Sequence, residues 1–541
     1  MRENHRRTML FPRRLLLLCL IALAGIVPAA PAAAKTVPGS PAFRVVILDH
    51  MAGWQLRRFA REGAVGLLVP GTGPTTNRRQ ALAQLVRGVR EDSYLGGVPS
   101  GRPLLSANQA TGTPSRMRTI VVTLPPRSAH PVLNDKRYYV AVLGGGFHGL
   151  LVSKTTRITG LVSIVDIAPT ALGQQRGALT SVEVPHAIGT LKTLNAQIHA
   201  NNRLKLAALI VLACFGLLLA FVLPRAALTV VPAALLASVG LGALHVTNEV
   251  VIMAALVVFG VGGGIALARV CRTDVRLLLL ILGVVAVYMY LLAARPDWVA
   301  VTPLGPTQNS RFWGIGNQLE TLLLAPLLAG AAIAARRFGT IGFAAVGALG
   351  LFLMTDNRFG SDGGGAIVLG LALAFLGARM LRLGVRGFLI LLGLAAAGVL
   401  KVVSSNLSAG GPNHFRSAFG HGLSGLWAVA ANRVPLSYMP AIHNWPVVMP
   451  LAVWFLVTFA VALVVARRGP GRDFVLTLGL AIVVSLLVND SAMYELTGGV
   501  AAIAALLRFA PAPAVPVTVR SLVRAILPSP ARPVPVEVVD D

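Results

Sequence analysis

The sequence predicts an α-helical polytopic membrane protein of about eleven transmembrane helices, preceded by an N-terminal exported α/β domain. Three observations lead there. First, apolar stretches recur after residue 205, at 206–223, 226–244, 249–270, 276–294, 316–335, 338–355, 364–381, 386–404, 447–466, 474–489 and 496–509. Each is close to the ~17–25 residues that a helix needs to cross hydrocarbon. Second, arginines fall in every second connection: Arg225, then Arg269, Arg272 and Arg276, then Arg336 and Arg337, then Arg379, Arg382 and Arg386, then Arg467, Arg468 and Arg472, with Arg508, Arg520 and Arg524 continuing the series. Basic residues favour cytoplasmic loops, so the segment before residue 206 is expected outside and the C-terminus inside. Third, 541 residues with 55% hydrophobic and 13% charged side chains exclude a single soluble domain.

Four regions follow from that pattern. Residues 1–34 read as a signal peptide, with a basic region at Arg6, Arg7, Arg13 and Arg14, an apolar core from Leu15 to Ala24 and small residues at Ala32, Ala33 and Ala34. Left uncleaved, it would be a twelfth helix with the same topology downstream. Residues 35–204 form the exported domain, 205–510 the helical membrane domain, and 511–541 a Pro-rich cytoplasmic tail with a short helix expected over 518–526. Of the three cysteines, Cys19 is in the leader, and Cys214 and Cys271 lie in or beside helices, so no disulfide is expected in the exported domain. The formal charge of +28 is largely cytoplasmic arginine that orients helices or meets anionic headgroups. No basic stripe interleaved with aromatics accompanies it, which argues against a nucleic-acid partner. Membrane lipid is the partner expected.

Within residues 35–204, strand-like and helix-like runs alternate. Strands are expected at 44–49, 64–69, 119–124 and 138–143, and helices at 54–62, 79–89 and 163–172, giving an α/β sandwich on a largely parallel sheet. The run from Gly160 through Asp166, Pro169 and Thr170 to Leu172 resembles the helix near the C-terminus of alkaline-phosphatase-superfamily domains, where an Asp-x-x-Pro-Thr sequence recurs. By that resemblance Asp49, ending the first strand, corresponds to a first metal-binding aspartate. Thr75 or Thr76 lies where a nucleophile would be sought. The same resemblance implies a further Asp-His pair and a late His from a long middle section. Here only about 90 residues separate Thr75 from Asp166, and no Asp-His pair lies between them. His130 and His148 read as turn and glycine-loop residues, and Asp166 as a helix-start carboxylate. The expectation is a truncated, inactive alkaline-phosphatase-like domain with no metal and no cofactor.

Under the topology above, Glu249, Asp297, Glu320, Asp356, Asp362, Asp490 and Glu495 gather outside or at outer helix ends, whereas Asp274 and Asp473 are cytoplasmic. Carboxylates are costly in a membrane domain, so such a gathering is a functional-site candidate, against the alternative that arginine has simply claimed the inside. Three outer loops carry it. The first, residues 297–320, ends in Arg311, Trp313, Gly314, Gly316, Asn317 and Glu320, with Asn317 and Glu320 sharing a helix face. The second, residues 356–365, places Arg358 between Asp356 and Asp362 ahead of three glycines. An Arg fork suits phosphate or carboxylate, although an ion pair explains it equally. The third, residues 405–446, contains an amphipathic helix with His414, Arg416 and His421 off its apolar face.

Arg311, Asn317, Arg358, His414 and Arg416 are therefore candidate substrate-binding residues, with Glu320 and Asp362 as catalytic candidates. Such loops are what handling of a lipid-linked glycan or phosphate precursor of the cell envelope requires. The layout resembles O-antigen ligases and related envelope-polymer enzymes. Residues 138–172 and the loops at 309–320, 356–365 and 489–490 resemble an actinobacterial-type family of polytopic membrane proteins with an alkaline-phosphatase-like exported domain. That resemblance implies no activity. A transporter or lipid-flipping protein and a non-catalytic envelope receptor or assembly factor remain the alternatives.

Overall fold

The computed structural model describes residues 43–509, apart from 72–74, 88–117, 128–131, 174–178, 307–313, 357–358, 361, 409–441, 443, 468–469 and 490. The leader, the Pro-rich tail, His130, Arg311, Arg358, His414, Arg416 and His421 lie outside the described residues.

The strands form on short, mostly apolar runs, β-branched throughout the middle at 44–48 and 119–123. They are β1 (Arg44–Leu48), β2 (Gly63–Val69), β3 (Thr75–Thr76), β4 (Thr119–Thr123), β5 (Val132–Leu133), β6 (Tyr138–Leu143), β7 (Gly149–Val152), β8 (Leu161–Ser163) and β9 (Thr180–Val182). The main sheet runs β1-β4-β6-β2-β7-β9, with β8 also paired to β2. The sheet is mixed, not largely parallel: β1 and β4 are parallel, as are β2, β7 and β8, but β6 runs against both β2 and β4 and β9 against β7. Hydropathy alternation fixes which face a residue meets, not the direction of its strand, so this difference left no mark in the sequence.

Successive side chains do part to opposite faces. Ile120, Val122, Val140 and Val142 join one core with Ala81 and Leu85, and Val121, Ala141 and Leu150 join the other with Leu56 and Phe59. The helices supplying these contacts are α1 (Gly53–Glu62), α2 (Arg78–Arg87) and α3 (Ile167–Ala171). Asn77 caps α2: its Oδ1 accepts from Gln80 N at 2.8 Å, and Gln80 Oε1 accepts from Asn77 N at 3.0 Å. The second core also takes in Leu191 and Ile198 of the following helix, and Ala300 and Val301 from the helical domain. The α/β domain thus sits directly on the bundle.

That following helix, α4 (Ala187–Val222), is continuous across the 204/205 boundary read from the sequence. After it come α5 (Pro224–Ala243), α6 (Glu249–Val270, with a π-helical stretch at 256–262), α7 (Asp274–Ala294), α8 (Pro296–Ala300), α9 (Asn317–Thr355), α10 (Gly363–Met380), α11 (Val385–Ser408), α12 (Trp445–Val465), α13 (Pro470–Val488) and α14 (Ala492–Leu506). Among the described residues, nine helices are long and apolar enough to cross a membrane, and α14 is a shorter apolar helix.

The 39-residue α9 is not one straight rod. Gly339 breaks it at φ 69°, and beyond the break Gly350 faces Leu327, Gly330 faces Val346 and Gly342 meets Ala334. The pairs converge on residue 338, so α9 is two antiparallel segments, in the places of the apolar stretches at 316–335 and 338–355. Around the turn, Arg336 bonds Asp274 at 2.5 Å, and nearby on the same end of the bundle Arg379 bonds Asp473 at 2.8 Å. The α/β domain occupies the opposite end.

Candidate functional site

The site is assembled at the end of the bundle beneath the α/β domain, by backbone first. Gly314 takes φ 88° and lies against the carbonyl of Gly360, a spot with no room for a Cβ. Ile315 N then bonds Gly360 O at 3.2 Å, and Asp362 N bonds Met354 O at 2.8 Å. These bonds tie the segment that opens α9 to the hairpin between α9 and α10. Asp362 caps α10, its Oδ1 accepting from Gly365 N at 3.2 Å.

The side chains follow from that framework. Glu320, one turn into α9, is 0% exposed and faces protein. Its Oε2 accepts from Asn489 Nδ2 at 2.8 Å, and the same amide donates to Ser485 Oγ at 2.9 Å. Gly365 sits between Glu320 and Asp362: a Cβ there would stand 3.1 Å from Glu320 Cγ and 3.2 Å from Asp362 Cγ. Gly364 lies so close to Asn489 Oδ1 that a Cβ would overlap it. Asn317 Nδ2 reaches Glu495 Oε1 at 3.5 Å, and Glu495 is also 0% exposed. Gly498 in turn gives Thr321 the space its hydroxyl occupies. Four helices, α9, α10, α13 and α14, therefore enclose Glu320, Asp362 and Glu495 among amides and glycines.

Of the residues singled out in the sequence, Glu320 and Asp362 come together. Asn317 lies on the same first turn of α9 but turns to Glu495. Glu495 stood among the gathered outer carboxylates and Asn489 in the 489–490 loop, but neither was chosen as a site residue, and Ser485 was not singled out. A signal for them existed: Asn489 and Ser485 are polar residues four apart at the end of one apolar stretch, and Glu495 abuts the start of the next.

Above this cluster lies the loop from β7 to β8, in the α/β domain. Asp166 holds it: Ser153 Oγ donates to one carboxylate oxygen and Thr155 Oγ1 donates to the other at 2.6 Å. The Asp166 side chain thus fixes this loop and does not cap the helix it precedes. Within the loop, Arg157 takes φ 59°. Burial pushes the Arg157 guanidinium down to about 10 while Asp356 pulls it back up, so it is charged at neutral pH and within electrostatic reach of the α9–α10 hairpin. Elsewhere in the domain, Asp49 bonds Arg78 at 2.6 Å, Thr75 pairs with Leu133 and Thr76 with Val132, and His148 is exposed. Among the described residues no three His, Cys, Asp or Glu side chains are grouped as metal ligands.

A second polar feature runs along α4. Gln197, Asn201 and Lys205, spaced four apart and each at most 2% exposed, share one face. They donate to the carbonyls of Gly242, Val301, Gly305 and Pro306 over 2.6–3.3 Å. Comparison of the chain with protein-family models, with curated proteins and with solved structures gives no match.

Proposed function

We propose that this protein handles a lipid-linked or phosphorylated cell-envelope precursor at the outer face of the cytoplasmic membrane. The observation that carries the reading is the enclosed convergence of Glu320, Asp362 and Asn489 beneath the α/β domain. Ionisable groups inside a helical membrane domain are expensive to keep and face the bundle interior where they serve substrates or ions. A carboxylate held by an amide can take a proton from an acceptor hydroxyl, and cations from the neighbouring loops, Arg311 and Arg358, would meet the phosphates. In this reading the α/β domain is exported and acts as a roof, related to alkaline phosphatases but inactive.

Two experiments test this. The protein is purified in mild detergent and its bound lipids are identified by mass spectrometry: phospholipid-linked glycans should accompany the parent and be lost from Glu320→Gln at unchanged expression. Only bulk phospholipid in both preparations would sink the reading. For orientation, a cysteine at Ser100 should react with an impermeant thiol reagent in intact cells and one at Ser529 should not; the reverse pattern would remove the outer-face assignment. A transporter is the second reading, favoured by the enclosure of Glu320 and Glu495 between helices instead of in an open cleft.

A further inference from the structure

Lys205 Nζ is buried, and its described neighbours are carbonyl oxygens: Gly305 O at 2.6 Å and Pro306 O at 3.3 Å. Among the described residues it makes no ion pair with a carboxylate. A buried amino group without a carboxylate partner is costly to keep unless what it binds needs it. What it binds is a non-helical segment, residues 301–306, all of it buried between the α/β domain and the bundle. Irregular backbone in such surroundings persists only where its polar groups find partners inside the protein. Here side chains supply them from two directions. From α4, Gln197 and Asn201 donate to Val301 O and Lys205 to Gly305 O and Pro306 O; from α9, Gln318 Nε2 donates to Pro303 O at 2.8 Å. Gln318 stands between Asn317 and Glu320 on the first turn of α9. A displacement of the segment therefore reaches the turn that bears both.

We propose that Lys205 is a positioning residue for the carboxylate site: its Nζ pins the 301–306 segment, and through Gln318 that segment fixes the first turn of α9 and with it Asn317 and Glu320. The proposal rests on the reading that this turn belongs to the functional site, but its geometry is tested without any substrate. The α4 helix, which begins in the α/β domain and carries this row of donors into the bundle, makes the roof and the site one mechanical unit.

The test uses the full chain in membranes with Cys19, Cys214 and Cys271 replaced by alanine. A cysteine at Thr302, which is 1% exposed, reports on the segment through its reaction with an impermeant maleimide. Cysteines at Asn317 and Glu495, whose native side chains meet at 3.5 Å, report on the site through capture by a short bifunctional thiol reagent. Lys205→Met should speed Thr302 labelling at least tenfold and cut the cross-link at least threefold, while Lys205→Arg, which keeps a donor, should stay near the parent in both. Unchanged rates in Lys205→Met overturn the proposal, and equal loss in Met and Arg variants overturns the role of the donor at this position. Should Lys205→Met fail to reach the membrane, Asn201→Leu and Gln318→Leu each remove one clamp and should each raise labelling severalfold; both within twofold of the parent overturn it as well. None of these readings depends on what lipid co-purifies, so failure here and failure of the Glu320→Gln experiment are separate results.

Discussion

At the arginine-rich end of the bundle, Asp274 meets Arg336 at 2.5 Å and Asp473 meets Arg379 at 2.8 Å, with both members of each pair partly in solvent. At the end beneath the α/β domain, Glu320 and Glu495 are fully buried, and their partners include the amides of Asn489 and Asn317. Exposed pairs occur there too, as between Arg203 and Glu249 at 3.5 Å, so the contrast is one of burial more than of position. A half-exposed ion pair gains little over its hydrated parts and is screened by salt. A carboxylate enclosed by helices has lost its water and depends on each donor that remains. The same residue type is thus cheap to keep at one end and expensive at the other, which is the physical ground for seeking function at the second.

The largest effect should come from removing a donor. Asn489→Ala takes one hydrogen bond from Glu320 and another from Ser485 in a site without exposure. A hydrogen bond to a charged group contributes ~1.5–3 kcal/mol, and the upper half of that range is expected here. Thermal unfolding of the detergent-solubilised protein would measure it, with Asn489→Gln as the variant that keeps the amide. A loss under ~0.5 kcal/mol would mean that Glu320 does not depend on this amide, and the contrast between the two ends would fail at its centre.

Next comes the packing that lets the helices close on the carboxylates. Gly498→Ala places a methyl group against Thr321, at a helix contact with no slack. Overpacking of this kind costs ~1–3 kcal/mol, and Gly240→Ala, where nothing stands near the new Cβ, is the control that should cost far less. If both variants unfold at the same temperature, the enclosure of the site is looser than its glycines indicate.

Much of this arrangement was legible in the chain and some was not. Apolar length made the helices visible, and the break at residues 336–339 was visible because two arginines interrupt a long apolar run. Strands β1 and β4 were visible as β-branched runs and β2 and β6 as apolar ones, whereas β7, β8 and β9 are three or four residues long, too short to leave a period. The approach of Glu320 to Asp362 was anticipated from neighbouring loops. The loop of Asn489 was noticed, but not its bond to Glu320, because the two lie 169 residues apart and no local pattern pairs them. The row of Gln197, Asn201 and Lys205 was readable as polar residues at i, i+4 and i+8, yet it falls on a boundary drawn between two domains and was divided by it.

The smallest effect belongs to the exposed end. Arg379→Ala removes the guanidinium from Asp473 while both stay hydrated, their side chains being 50% and 23% exposed. Double-mutant cycles on such pairs give ~0.2–1 kcal/mol, so the unfolding temperature should fall by a few degrees at most, and raising salt should narrow even that difference. The complete cycle with Asp473→Ala isolates the pair from the packing of the arginine stem, which an alanine substitution also removes. A coupling above ~2 kcal/mol would show that Asp473 is held as tightly as the buried carboxylates. Burial would then no longer separate the two ends, and the carboxylates beneath the α/β domain would lose their claim to be the distinctive ones.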